Sequence, residues 1–333
     1  MTPAPPVFHS TSRRRFLVRS AISVAALGIS RGAYADRSAA SLRVAQAKGR
    51  FDFEVLFGAA GVTTPPYPVA YSEFAVGNLV VEAMNAGALD FGGMSEVSPI
   101  FIAANNPQLK IVAVFKGDVN TQVMLIPHES TIGLVADLKG RRVGYVRGTG
   151  GHYFLIKILA ELGLTFRDIT PVNLSPADGQ AAFVSGAIDA WAIYGHFGPL
   201  AVHNHGARVL KTALGYLSGN YLLAAHPEAI ADPVRHAEIG DFLLRLRKAY
   251  GWLNSNPETW APIEAKALGL PPEIILEELR NQSAPTQILA GDAASIKSQQ
   301  EVADVFFTAG LLPKPIDVTP LWDHSFSALL LEN

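Results

Sequence analysis

The sequence contains no cysteine. This absence excludes disulfide bonds, thiolate metal sites, a cysteine nucleophile and a lipid anchor on an N-terminal cysteine. Two nucleotide-binding motifs are missing as well. The glycine-rich stretch at 146–155, VRGTGGHYFL, lacks the Lys-Ser/Thr pair of a phosphate loop and carries Tyr153 where a dinucleotide fingerprint needs a third glycine. No G-x-S-x-G motif of a serine hydrolase occurs either.

Long apolar runs are also lacking. The apolar stretch from Ala21 to Ile29 is too short to span a bilayer. It follows a basic segment that contains SRRRFL, a match to the twin-arginine export pattern, and it precedes Ala33-Tyr34-Ala35, a small-x-small cleavage site. We therefore expect residues 1–35 to be an export signal that engages the export translocon and is cleaved after Ala35. The mature protein would begin at Asp36 and reside in the periplasm.

Basic residues are scarce beyond that segment. Five of the 27 basic residues and none of the 29 acidic residues fall in residues 1–35, which leaves 22 basic residues and a formal charge of −7 on the remaining 298 residues. This balance argues against nucleic acid or an anionic membrane as a partner. The length is sufficient for two lobes, each with its own core.

Short strand-like runs alternate with helical stretches, which is typical of an α/β fold. Helices are expected at Leu79–Asn85 and Tyr153–Leu162, closed by Gly87 and Gly163. From about Val234 onward the pattern is almost entirely helical. The predicted strands are Leu42–Gln46, Val69–Glu73, Asp90–Met94, Lys110–Phe115, Val123–Pro127, Arg142–Val146, Ile169–Asn173, Ala187–Ile193 and Tyr221–Ala225.

An internal similarity indicates duplication. The segments at 84–95 and 183–194 align at an offset of 99, which pairs Gly87 with Gly186 and Asp90 with Asp189. Each reads as a helix end, a glycine cap, an aspartate and a buried strand. Two such units predict two similar lobes, and in open α/β sheets ligands bind beyond the carboxyl ends of the strands.

The stretch at 146–155 predicts an anion site. A strand leads into Thr149, and the helix that follows would direct the N–H groups of Gly150, Gly151 and His152 at an anionic group. The Thr149 hydroxyl would donate to the same group and cap the helix. Arg147 could add a bidentate contact, although a solvated arginine and an ordinary helix start are the alternatives.

Other segments that follow strands suggest cleft-facing residues. Gly77-Asn78 and Ser95-Glu96 each stand at a helix start, and IYGHFGPLAV offers Tyr194, His196 and Phe197 as cleft walls. The histidines His196, His203 and His205 are spaced H-x6-H-x-H. Without cysteine or a carboxylate at ligand spacing we expect no metal site, and the last two suit the final turn of a helix.

Four segments together resemble the periplasmic substrate-binding proteins of ABC importers for aliphatic sulfonates, taurine and related anions. They are PYPVAYSEFAVGNLVVEAMNAGALDFGGMSEVSPIF (66–101), VADLKGRRVGYVRGTGGHYFLIKILAELGLTFRDI (135–169), SPADGQAAFVSGAIDAWAIYGHF (175–197) and QQEVADVFFTAGLLPKPIDV (299–318). The resemblance implies a type II periplasmic binding protein fold, in which two α/β lobes joined by two crossing segments clamp the ligand. The helical C-terminal region would pack on the lobes.

The resemblance also implies boundaries and contacts. Residues 36–125 and 220–333 would form lobe 1 and residues 126–219 lobe 2, with hinges near Val123–Pro127 and Gly219–Ala225. The implied ligand contacts are Gly77, Asn78, Ser95, Glu96, Thr149 to His152, Tyr194, Phe197 and Tyr221. Gln46 is a further implied contact, although the family's glutamine aligns one position later, at Ala47.

The sequence departs from the family where Tyr194-Gly195-His196-Phe197 replaces a common Trp-Asp-Pro-Phe, which could admit a bulkier or more polar ligand tail. We expect a monomeric binding protein without cofactor or catalysis that delivers a sulfonate-like anion to a permease and its ATPase. The alternatives are a thiamine-pyrimidine precursor, nitrate or an aryl sulfonate as ligand, or an enzyme on this fold, a desulfinase or a pyrimidine synthase.

Overall fold

The computed structural model describes residues 41–47, 52–105 and 107–332. The predicted export signal, its cleavage site after Ala35 and the start at Asp36 lie outside these residues. Within the described ranges, no helix combines the length and the apolar character needed to cross a membrane.

The element order confirms the α/β class. The strands are β1 (Leu42–Gln46), β2 (Val69–Glu73), β3 (Phe91–Ser95), β4 (Lys110–Lys116), β5 (Val123–Ile126), β6 (Arg142–Tyr145), β7 (Thr170–Asn173), β8 (Ala190–Ile193), β9 (Arg208–Thr212), β10 (Asn220–Ala225) and β11 (Gln287–Leu289). The helices are α1 (Phe53–Ala59), α2 (Gly77–Asn85), α3 (Gly150–Ala160), α4 (Pro176–Val184), α5 (Phe197–His205), α6 (Pro227–Ala231), α7 (Pro233–Ser255), α8 (Pro257–Leu268), α9 (Pro272–Arg280), α10 (Ala293–Thr308) and α11 (Ser327–Leu331).

All nine predicted strands are present, most of them shifted at an end by one to three residues. Two further strands, β9 and β11, were not predicted. Both lie at the edge of a sheet and are partly exposed, so neither shows the apolar run or the alternation that identifies a strand in a sequence.

The strands form two sheets with the same internal plan. The first has the order β11-β4-β10-β3-β1-β2, and the second β7-β6-β8-β5-β9. In the first, β1 pairs in parallel with β2 and β3, while β10 runs antiparallel between β3 and β4. In the second, β6 pairs in parallel with β7 and β8, while β5 runs antiparallel between β8 and β9. Each sheet is the centre of one lobe.

The predicted duplication is visible in matched salt bridges. The Arg43 guanidinium donates to Asp90 and to the carbonyl of Gly87, and its backbone N–H also donates to Asp90. Ninety-nine residues later Arg142 makes the same set of contacts with Asp189 and the Gly186 carbonyl. The similarity seen at the two glycines and two aspartates therefore extends to a third pair, Arg43 and Arg142.

The crossing segments lie earlier than expected. All of β5 pairs in the second sheet, so the first crossing spans residues 117–122 rather than 123–127, and the lobe boundary expected after residue 125 falls inside a strand. The second crossing spans residues 213–219, since β10 pairs entirely in the first sheet. The N–H of Gly117 donates to the Gly219 carbonyl at 2.9 Å. Gly219 has φ +77°, and a Cβ there would lie 2.6 Å from the Gly117 oxygen, so this junction requires glycine.

The C-terminal helices complete the first lobe. The ring of Phe242 on α7 packs edge-on against Phe53, Phe57 and Phe91, at centroid distances of 5.3–5.8 Å. Phe306 on α10 reaches α3 of the second lobe, where it lies 6.2 Å from the Tyr153 ring. The helical C-terminal region therefore contacts both lobes.

Candidate functional site

A cavity of about 240 Å³ lies between the two lobes. It is lined by the ends of β1 and β3, by the first turns of α2, α3 and α5, and by residues of the first crossing. Nine of the fourteen predicted site residues line it: Gln46, Gly77, Ser95, Thr149, Gly150, Tyr194, His196, Phe197 and Tyr221.

Two helices, one from each lobe, begin at this cavity. α2 begins at Gly77, and α3 begins at Gly150; neither Val76 nor Thr149 supplies a side-chain cap. The first backbone bond of α3 is donated by Tyr153 to the Thr149 carbonyl. Because the first N–H groups of a helix have no acceptor within the helix, those of Gly77 and Gly150 are available to an anion in the cavity. The helix dipoles add to the same attraction.

The Thr149 hydroxyl does not act as predicted. It donates to the Val146 carbonyl at 2.7 Å and makes no cap bond to α3. Its proton is therefore directed back into the loop, and the side chain is 5 % exposed. Thr149 shapes the wall of the cavity, while the backbone that follows it supplies the donors.

Asn78 and Arg147 connect the lobes instead of lining the cavity. The Asn78 amide donates to the Arg147 carbonyl at 2.8 Å, across the cleft. The Arg147 guanidinium lies 6.0 Å from the ring of Phe101 in the first lobe, a cation–π contact. Its predicted bidentate contact with the ligand is not supported by this position. Both residues therefore make contacts between the two lobes.

Ser98 adds a second bond across the cleft. Its hydroxyl donates to the Gly148 carbonyl at 3.1 Å, and Ser98 also lines the cavity. Ser95 and Glu96 were predicted as contacts from the sequence, whereas Ser98 was not. The feature of the sequence that could have indicated Ser98 is its hydroxyl directly before Pro99. The two residues form the first turn of a short 3₁₀ helix, Ser98–Phe101.

Gln122, on the first crossing, was also missed. It is 4 % exposed, and its Nε2 donates to the Tyr221 hydroxyl at 3.1 Å. Its Oε1 lies so close to Gly150 that a Cβ on that residue would approach to 2.4 Å. Gln122 therefore joins the hinge to the start of α3, and a Cβ at position 150 would require the Gln122 amide to shift. No motif marks such a residue in an irregular segment.

His152 belongs to an aromatic cluster and not to the cavity. Its ring contacts Tyr145, Phe166 and Phe306 at centroid distances of 4.7–5.2 Å. Nδ1 accepts the N–H of Gly148, and among the described residues Nε2 has no hydrogen-bond partner. Burial, assisted by the nearby Arg147 charge, lowers the pKa of His152 to about 3, so the ring is neutral at pH 7. Gly151 packs against the Ala192 carbonyl of β8 and likewise does not line the cavity.

Glu96 is buried beside the second crossing. Its carboxylate accepts hydrogen bonds from the Ser218 hydroxyl at 2.7 Å and from the Ser298 hydroxyl at 3.0 Å. Burial raises the pKa of Glu96 to about 7, although both hydroxyls favour the ionised form. Glu96 ties the crossing to α10 and does not line the main cavity, which corrects its predicted role as a ligand contact.

The remaining predicted side chains form the floor and walls. The Gln46 Oε1 is buried and has no hydrogen-bond partner among the described residues, whereas the Ser95 hydroxyl accepts the N–H of Val97. Burial raises the pKa of Tyr194 and lowers that of His196, so both are neutral at pH 7. The His196 ring stacks on Phe197 at 4.5 Å.

Backbone N–H groups are the source of positive potential for an anion in this cavity. Of the residues that the structure describes, no lysine or arginine lines it. Two carboxylates of the C-terminal helices, Glu264 and Glu278, do line it, and the Trp260 indole donates to Glu264. An anion would therefore lie at the helix N-termini, where N–H groups supply the positive potential.

Metal binding has no support in the described ranges, where no group of three histidine, aspartate or glutamate side chains converges. His203 and His205 are exposed in the last turn of α5, which ends at Gly206 in the left-handed conformation. That is the position expected for side chains that favour a helix C-terminus.

Comparison with known proteins identifies relatives of this chain. A family model described as NMT1/THI5 like matches residues 69–260. A curated Escherichia coli (strain K12) protein, named among the aliphatic sulfonates-binding proteins, is 34% identical over 288 residues, or 85% of this chain and 89% of that protein.

Two solved structures agree with this chain along most of its length. The alkanesulfonate-binding protein SsuA from Xanthomonas axonopodis pv. citri, bound to MOPS, has a TM-score of 0.79 and 30% identity, and the match covers 86% of this chain and 99% of that one. The periplasmic aliphatic sulphonate binding protein SsuA from Escherichia coli has a TM-score of 0.75 and 33% identity over 86% of this chain and 92% of that one.

Two lobes of matching topology, two crossings and a cavity between the lobes define a solute-binding protein of the two-lobed periplasmic type. The chain belongs to the NMT1/THI5-like family and is a relative of the aliphatic sulfonate-binding proteins. The resemblance seen in the sequence and the fold it implied are thereby confirmed.

Proposed function

We propose that this protein is the solute-binding component of an ABC importer and that it captures a sulfonate-like organic anion between its lobes. The main support for the proposal is that α2 of one lobe and α3 of the other begin at the same cavity. Their N–H groups supply donors from both sides, so an anion bound between them would stabilise the closed arrangement.

A sulfonate suits this arrangement because of its charge and shape. It carries one negative charge at all physiological pH values, and its three oxygens can accept hydrogen bonds from several directions. The cavity offers N–H donors at Gly77 and Gly150 and polar side chains at Gln46 and Ser95. Each buried donor that a ligand leaves unmatched would cost about 1–3 kcal/mol, which selects ligands by geometry.

Binding without chemistry is the second part of the proposal. The chain has no cysteine, and the neutral His196 lies stacked on Phe197. The Thr149 hydroxyl donates its proton to the Val146 carbonyl, so it is not directed to a general base. These features support a role in which the ligand is held and released unchanged to a permease driven by an ATPase.

Export to the periplasm completes the proposal. The basic and apolar pattern of residues 1–35 supports it, as does the periplasmic description of the Escherichia coli relative. The mature protein would act as a freely diffusing monomer.

Native mass spectrometry and thermal shift against a matched panel test the proposal. The panel holds alkanesulfonates, taurine, aryl sulfonates, nitrate and pyrimidines. A sulfonate at 100 times its Kd should stabilise the protein by about 2.7 kcal/mol and remain unchanged on long incubation. Stabilisation by nitrate or a pyrimidine alone would overturn the sulfonate assignment, and conversion of the ligand would overturn the transport role.

A further inference from the structure

Aromatic side chains from both lobes line the cavity. Phe53, Phe74, Phe115 and Tyr221 come from the first lobe, and Tyr194 and Phe197 come from the second. Phe53 and Phe115 are each 1 % exposed, so their contact with the cavity takes place inside the protein. A ligand tail would therefore meet rings from both sides.

The orientation of several rings is held by their neighbours. Phe115 and Tyr221 meet edge to face at 5.9 Å and 89°. Phe197 meets Trp191 at 6.0 Å and 68°, and the His196 ring stacks on Phe197 at 4.5 Å. Rings that are already oriented lose little conformational freedom when a ligand binds.

The cavity has space beside these rings. Gly195 lines it with φ +62°, and a Cβ at this position would have no atom within 4 Å. The cavity has a volume of about 240 Å³. A ligand the size of a single small anion would leave the aromatic part of this space unfilled, and unfilled space beside the rings forfeits dispersion contacts.

We infer that the site selects a sulfonate whose tail is an aromatic ring. This inference rests on the proposed function, because the anionic group must occupy the helix N-termini for its tail to reach the rings. A flat ring can meet the edges and faces of the surrounding phenyl and phenol groups in the offset or edge-to-face geometries that aromatic pairs prefer. A saturated ring of the same carbon number buries similar apolar area and gains none of these contacts.

A matched ligand pair separates ring recognition from size. Benzenesulfonate and cyclohexanesulfonate have the same carbon skeleton, and their affinities would be measured by isothermal titration calorimetry on the mature protein. Two favourable ring contacts should make benzenesulfonate bind at least about fivefold more tightly. Equal affinities, or tighter binding of cyclohexanesulfonate, would overturn the inference while leaving sulfonate binding intact. Failure of both ligands together with hexanesulfonate would overturn the proposed function itself.

Substitutions of single aromatic residues test which rings cause the preference for benzenesulfonate. Phe197→Leu keeps an apolar side chain and removes one ring, so it should reduce the benzenesulfonate preference to about twofold. Phe307→Leu, on the exposed face of α10, is the matched control and should leave the preference unchanged. If Phe197→Leu does not fold by circular dichroism, Tyr194→Leu serves the same purpose. An undiminished preference in a folded variant would contradict the assignment of these rings.

Discussion

The Ser98 hydroxyl donates to the Gly148 carbonyl at 3.1 Å, across the cleft between the lobes. Gly148 stands two residues before the first turn of α3, which offers its N–H groups to the cavity. The contact between the lobes and the candidate anion site therefore share one loop. A second bond from Asn78 to the Arg147 carbonyl reinforces this arrangement.

Removal of these two bonds should weaken ligand binding. Asn78→Ala and Ser98→Ala should each raise the Kd about fivefold, since a net hydrogen bond contributes about 1 kcal/mol. The effect should appear mainly as faster dissociation in stopped-flow measurements, because both bonds cross the cleft and hold the lobes together around the ligand. Ser255→Ala, an exposed serine at the end of α7, is the control. An unchanged Kd in the double variant would contradict the role of this contact.

A methyl group at position 150 should weaken binding. In Gly150→Ala the new Cβ would lie 2.4 Å from the Gln122 oxygen, so the Gln122 amide must shift, which disturbs its hydrogen bond to the Tyr221 hydroxyl at the cavity. Gly251→Ala, in an exposed part of α7 with no atom within 4 Å of the added Cβ, should instead stabilise the fold by about 0.5–1 kcal/mol. Calorimetric binding and urea unfolding distinguish the two variants. Restored binding in Gly150→Ala/Gln122→Ala would confirm the clash as the cause.

Opposing titrations should govern the pH dependence of stability. The pKa of Glu96 is raised from 4.5 to about 7, so its contribution to the free energy of unfolding falls as the pH rises between those values. The pKa of His152 is lowered from 6.5 to about 3, so its contribution rises with pH over that range. Where the ranges overlap, from about pH 4.5 to 6.5, the two slopes oppose each other at up to about 1.4 kcal/mol per pH unit.

Single substitutions of Glu96 and His152 should reveal the pH dependence of stability that each residue causes. Relative to the wild type, Glu96→Gln should become more stable as the pH rises from about 4.5 to 6.5, and His152→Asn should become less stable. Urea midpoints across this range measure both effects. Identical pH profiles for the two variants would show that at least one of these groups is not buried as described.

Removal of the two matched salt bridges should lower the free energy of unfolding by different amounts. The Asp90 side chain is 9% exposed and that of Asp189 is 28% exposed, although their partners Arg43 and Arg142 are similarly accessible. Asp90→Asn should therefore lower the free energy of unfolding by about 2 kcal/mol, and Asp189→Asn by about 1 kcal/mol. Chemical denaturation of both variants checks the order, and a larger loss at Asp189 would contradict it.

These salt bridges also show how far the sequence predicts the fold. The offset of 99 between Gly87-Asp90 and Gly186-Asp189 was recognisable because a helix end, a cap and a buried strand are local features. Their partners Arg43 and Arg142 follow the same offset, but the bonds span more than 40 residues and appear only in the folded chain.

The site was predictable where backbone conformation determines it. Glycines before helical stretches located the starts of α2 and α3, since such patterns are local. Gln122, Ser98 and Phe115 could not be selected, because their sequence surroundings resemble ordinary turn or core segments and only the tertiary fold brings them to the cavity. The same limit explains His152 and Glu96, whose burial turns their side chains away from it.

A crystal structure of the protein with a bound sulfonate tests the central claim most directly. The account predicts sulfonate oxygens at about 2.7–3.2 Å from the N–H groups at the starts of both α2 and α3. A sulfonate held by lysine or arginine side chains, or one that contacts the start of only one of the two helices, would contradict it.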